Sequence, residues 1–165
     1  MNQSYAEAGV ARKNTATIIA LKILMILVII AGAFVMLTGG IIGIAGAVIV
    51  IVMVYLLPKL NVEYEYIFVD GQIDFDRITG KSRRKTMLRI DMEEVEIIAI
   101  QGSHSLDPYK NIQCVKMDFT SGAKDAKPYI AIANKNGKKY MIAFEPNELM
   151  LTMIKQKSPR KLAQY

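Results

Sequence analysis

Between Ile23 and Pro58 the sequence has no Asp, Glu, Lys, Arg or His. A helix bathed on one side by water needs a polar face, so this stretch is excluded as an ordinary surface element. Cysteine is nearly as scarce. Cys114 stands alone, so no intramolecular disulfide exists and the fold does not depend on an oxidising compartment. With His104 the only histidine, zinc sites that draw several Cys or His ligands from one chain are excluded too. There is no Gly-rich phosphate loop running from a strand into a helix, and no nucleophile-elbow motif.

What the uncharged stretch does contain is enough apolar length for more than one bilayer crossing, each of which takes about 20 residues. It divides at Thr38-Gly39-Gly40, where adjacent glycines suit a tight turn. The reading is a transmembrane hairpin over 17–57, with spans at 17–37 and 41–57. Pro58 ends the second, because proline disfavours helix in the residue before it. Lys22 falls near the start of the first span, where its ammonium can reach the headgroup region. Ala31-Gly32-Ala33 has the look of a signal-cleavage site, but the apolar run continues well beyond it, which argues against a removed leader. One long tilted helix would have more apolar length than a bilayer covers.

The 165 residues carry 21 basic and 15 acidic side chains, a net of +6, and the position of the cations says more than their number. Arg12, Lys13 and Lys22 precede or open the first span, Lys59 follows the second, and the connecting turn has none. The positive-inside rule therefore places both termini in the cytoplasm, with the lipid bilayer as the first partner. No recognition motif accompanies the charge, so nucleic acid is not an expected partner. Gly39, Gly43 and Ala47 recur at four-residue spacing, with Gly46 close by, and make a candidate helix-packing face. A hairpin needs such a face internally; the alternative use is self-association.

After Pro58 the pattern changes from helical to alternating. Residues 62–69 and 72–78 read as two strands joined by Asp70-Gly71, a strong hairpin signal. Further strands are expected at 86–90, 95–100, 112–120, 128–133 and 139–144, with Asp91 capping a short turn between two of them. A closing helix follows, with Pro146 in its first turn, Leu149, Met150, Met153 and Ile154 on one face, and Ser158-Pro159 as its stop. The organisation is thus residues 1–16 as a cytoplasmic N-terminal segment, the hairpin, and one small domain over 58–165. The fold class is a membrane α-hairpin plus an α+β domain of about seven antiparallel strands and a C-terminal helix.

Tyr64-Glu65-Tyr66, Asp70-Gly71, Lys81-Ser82-Arg83-Arg84-Lys85, Gly102-Ser103-His104, Phe144-Glu145-Pro146-Asn147-Glu148 and Pro159-Arg160-Lys161 carry a resemblance over the whole chain. The chain resembles an uncharacterised family of small Gram-positive bacterial membrane proteins with two transmembrane helices ahead of a bacterial pleckstrin-homology (PH)-like domain. The resemblance implies the PH-like fold and brings no activity with it, since function resides in the site rather than the fold. Lipid-binding PH domains centre their basic site on the first strand pair. Taking Asp70-Gly71 as that turn speaks against specific phosphoinositide recognition.

Few constellations suggest chemistry. Asp74-Phe75-Asp76 before Gly80 resembles a calcium loop, but Ile78 and Lys85 occupy positions that need oxygen ligands. Ser103, His104, Ser105 and Asp107 have the residue types of a hydrolase triad, yet lie within one short loop, whereas working triads gather residues from separate elements. Cys114 is expected as an inert buried thiol in a strand, and Glu93, Glu94 and Glu96 as a solvated acidic face. No catalytic residue, cofactor or metal site is expected. Lys81, Arg83, Arg84 and Lys85 are the candidate contacts for anionic lipid headgroups, each adding ~1 kcal/mol if held at a membrane surface. The resulting expectation is a non-enzymatic, membrane-tethered interaction module with an unidentified protein partner. The alternatives are binding of anionic membrane through the basic turn, and an accessory subunit of a transport or secretion complex.

Overall fold

The computed structural model describes residues 5–163. They form two compact units: a helical unit of residues 13–62 with 79–83, and a sheet unit built from the remainder.

In the helical unit, α1 spans Ala16–Met36 and α2 spans Gly40–Leu56, followed by a short 3-10 turn at Leu57–Leu60. The Thr15 hydroxyl caps α1 by accepting from the Ile18 amide at 3.4 Å. Each helix, the second counted through Leu60, is long and apolar enough to cross a membrane. Their outer faces are exposed and apolar, including Leu24, Leu27, Phe34, Ile41, Ile44 and Ile51. Gly43 and Gly46 are buried against α1. A Cβ on Gly46 would lie 2.7 Å from the Gly32 carbonyl oxygen, and one on Gly43 2.9 Å from that of Met36. Backbone therefore packs on backbone within the hairpin. Gly39, at φ +71°, belongs to the turn, and Ala47 is half-buried; Gly46 takes the close-contact place that the four-residue spacing gave to Ala47.

Among the described residues the sheet unit holds eight strands in two four-stranded sheets. The first sheet has the order β1-β2-β3-β4, with β1 at Tyr5–Ala11, β2 at Val62–Val69, β3 at Gln72–Thr79 and β4 at Arg83–Asp91. The second has the order β5-β7-β8-β6: β5 at Val95–Ile100, β6 at Val115–Asp118, β7 at Tyr129–Lys135 and β8 at Lys138–Phe144. All its pairs are antiparallel except β6, which lies parallel to β8. Seven strands follow Pro58; the eighth lies in the segment that showed no strand pattern. β1 pairs antiparallel with β2 from Tyr5↔Val69 to Ala11↔Glu63.

That pairing changes two readings. The sheet begins before the hairpin, which is thus an insertion between two neighbouring strands. The first strand pair is β1–β2, and its connection is the hairpin itself; Asp70-Gly71, with φ of +48° and +98°, joins the second pair. The Asp70-Gly71 turn is therefore not the connection of the first strand pair, and its lack of cations has no bearing on lipid recognition.

Between the sheets sits an aromatic core. Phe75 stacks on Phe119 with centroids 5.1 Å apart, and Tyr66 and Phe75 each meet Phe144 edge-on. Such pairs contribute about 0.5–1.5 kcal/mol beyond their burial. The Tyr66 hydroxyl donates to the Phe119 carbonyl, and burial raises its pKa well above that of an ordinary phenol. Helix α3, Glu148–Lys157, closes the core with Met150 and Ile154 fully buried. Asn147, rather than Pro146, marks its start: its Oδ1 accepts from the Met150 amide at 2.8 Å, and its Nδ2 donates to the Glu7 carbonyl in β1 at 2.8 Å. Past α3, Leu162 bridges in parallel to Ile98 and covers the edge of β5.

Candidate functional site at the hairpin base

The charged residues of the helical unit lie in the segments flanking its helices and in the β3–β4 tip, with Lys22 near the start of α1. Lys22 lies one and a half turns into α1, and its ammonium turns back to Asn14 Oδ1 at 2.9 Å and Asn61 Oδ1 at 2.7 Å. It thus finds two neutral amide oxygens where the sequence suggested lipid headgroups. Lys59 Nζ stands 3.6 Å from the centre of the Tyr55 ring. The β3–β4 tip joins the same unit: the Gly80 amide donates to the Asn61 carbonyl at 3.0 Å, and a Cβ on Gly80, at φ +62°, would meet Pro58 at 3.4 Å. Between tip and helix end lies a cavity of about 280 Å³, lined by Val54, Tyr55, Pro58, Lys59, Thr79, Gly80, Ser82 and Arg83.

The four cations foreseen as one basic turn separate. Lys81 is at the tip with φ +60°, while Arg83, Arg84 and Lys85 belong to β4. Arg84 leaves the group altogether: its guanidinium is ion-paired with Glu65 and lies 3.6 Å from Asp76. Asp76 is almost fully buried, and one of its carboxylate oxygens has no hydrogen-bond partner among the described residues. The contacts with Glu65 and Asp76 tie Arg84 to the sheet. Lys59 and Tyr55 enter the site in its place. The sequence signal for them was present, a Tyr and a Lys four residues apart at the end of an apolar helix.

The other constellations take structural roles. Asp74 accepts two hydrogen bonds from Arg89, at 2.7 and 2.6 Å, a fork that raises the Arg89 pKa further. Ser103 Oγ accepts from the Ser105 amide at 3.3 Å, capping a 3-10 turn over His104–Tyr109. Asp107 contacts Lys110 at 2.7 Å and the exposed His104 ring at 3.2 Å, and these two, Lys110 first, lower its pKa. Cys114 precedes β6 rather than lying in it and is half-buried. It borders a cavity of about 440 Å³ shared with Gln113, Val115, Gly137, Lys138 and Lys139. Glu94 pairs with Lys135 of β7 at 3.3 Å, and Glu96 of β5 with Lys139 of β8 at 3.0 Å.

Two four-stranded sheets around an aromatic core, closed by a C-terminal helix, define a PH-like α+β domain, here with an apolar helical hairpin between its first two strands. The family model of the bacterial PH-like domain (DUF6106) matches residues 2–164, and the chain belongs to that family. The match runs through the hairpin as well as both sheets. No curated protein and no solved structure matches the chain.

Proposed function

We propose that this chain is a multi-pass membrane protein whose hairpin holds a PH-like domain at the cytoplasmic face, where the domain acts as a non-enzymatic interaction module. The observation that carries this reading is the β1–β2 ladder. The chain departs for the hairpin after Ala11 and returns at Glu63, and those two residues are paired. A hairpin so tethered enters and leaves a bilayer on one side, whichever side that is. Large apolar side chains are exposed along the whole of both helices, a continuous surface of the kind soluble monomers rarely show, and lipid is the solvent that suits it. The cations at its base select the cytoplasmic side.

For partner binding, the sheet unit offers β6, a four-residue edge strand of the second sheet with Val115 and Lys116 exposed beside the cavity at Cys114. An extended peptide can add to such an edge through its main chain. The accessory-subunit alternative loses some support, because Gly43 and Gly46 are used inside the hairpin. Affinity capture of the full chain from mildly solubilised membranes tests the proposal. A recurrent protein partner, lost when Val115→Pro blocks the edge, is the expected result; recovery of this chain alone contradicts it.

A further inference from the structure

The helical unit contains Lys13, Lys22, Lys59, Lys81 and Arg83 and not one carboxylate. None of the five is in an ion pair among the described residues, and half-buried Lys22 is met by uncharged amide oxygens. The cavity at the hairpin base puts two of these cations, Lys59 and Arg83, beside the hydroxyl-bearing Thr79 and Ser82. Its other wall, Val54, Tyr55 and Pro58, continues directly into the apolar surface of α2. Elsewhere in the chain cations meet carboxylates, as Arg84, Arg89, Lys135 and Lys139 do. Here the unit itself offers no carboxylate to pair with them.

We infer that this cavity is a binding site for the phosphodiester of an anionic glycerophospholipid, gripped by Lys59 and Arg83, with the lipid's acyl chains lying along α2. The chemistry follows from the two walls. A phosphodiester accepts hydrogen bonds from the ammonium, the guanidinium fork and the two hydroxyls. The Tyr55 ring, which holds the Lys59 ammonium over its face, is the kind of side chain that sits at headgroup depth. About 280 Å³ has room for one phosphodiester headgroup and not for a folded peptide. A free phosphate ion would satisfy the cations equally but would leave the apolar wall without a partner. The inference rests on the membrane reading above and names the ligand of the hairpin's own base.

The test uses the full chain in nanodiscs of phosphatidylcholine with a minor fraction of phosphatidylglycerol. After transfer to a mild non-ionic detergent, lipid retained by the protein is counted by mass spectrometry. Phosphatidylglycerol should be enriched about tenfold over phosphatidylcholine relative to the disc composition, as two surface cations allow. The Lys59→Gln, Arg83→Gln double variant should fall to parity, while Lys59→Arg with Arg83→Lys, and separately Lys85→Gln outside the cavity, should keep the enrichment. Equal retention by the native chain, or enrichment surviving the double Gln variant, overturns the site. Displacement of the lipid by excess inorganic phosphate overturns it in favour of a free anion. Failure of the chain to enter the nanodisc, seen before any lipid is counted, overturns the membrane reading and the site together.

Discussion

Tyr66 joins the two halves of the core: its ring packs on Phe75 and Phe144, and its hydroxyl is spent on the Phe119 carbonyl. Tyr66→Phe keeps the ring and strands a buried acceptor, so it should lower stability by about 1–3 kcal/mol in a denaturant melt followed by near-ultraviolet circular dichroism. Asp107 makes a pH prediction. Lys110 and His104 lower its folded pKa below the unfolded value, so its contribution to holding the 103–110 turn is present above the ordinary carboxylate range. That contribution is lost as pH falls through the lowered value. Carboxyl chemical shifts should show Asp107 titrating below the usual range and moving up toward it in Lys110→Met. At this scale the sequence was legible where chemistry is local. Asp70-Gly71 declares its own turn, because both residues tolerate positive φ. The fate of Arg84 was not legible, because Glu65 and Asp76 reach it from other strands and only the ladder registers bring them together.

Among the elements, the helices announced themselves by missing charge, whereas β1 left almost no signal. Tyr-Ala-Glu-Ala-Gly-Val-Ala is poor in strand-forming residues, and its alternation is carried by alanines. The structure gives the reason: Ala6 and Ala8 are buried, and α3 packs against β1. Larger side chains would hold that helix off. What makes β1 a strand is the waiting edge of β2, a tertiary cause that propensity does not register. Cutting the chain at Lys59 therefore removes one strand of the sheet, and a fragment of residues 59–165 should aggregate or melt without cooperativity. A chain in which an Asn-Gly turn replaces residues 12–62, joining Ala11 to Glu63, should instead be soluble and melt cooperatively by circular dichroism. The hairpin has its own test. Gly46→Leu forces side-chain atoms onto the Gly32 backbone and should destabilise the helix pair by about 1–3 kcal/mol, while Ala47→Val should cost less. Thermal melts of the detergent-solubilised full chain, read by helical circular dichroism, compare the two.

At the scale of the whole molecule, one covalent fact organises the rest: two strands that pair are separated in sequence by two helices fit for a bilayer. Under the proposed membrane arrangement, the basic base and the sheet domain share one side of the bilayer and the uncharged far turn lies on the other. Cysteine accessibility measures this most directly. Lys13→Cys, Thr38→Cys and Glu63→Cys, each in a Cys114→Ser background, are exposed to a membrane-impermeant maleimide in right-side-out vesicles before and after lysis. Thr38→Cys should react before lysis, and Lys13→Cys and Glu63→Cys only after it. Reaction of Lys13→Cys and Glu63→Cys from opposite sides, or of all three from one side, would contradict the account.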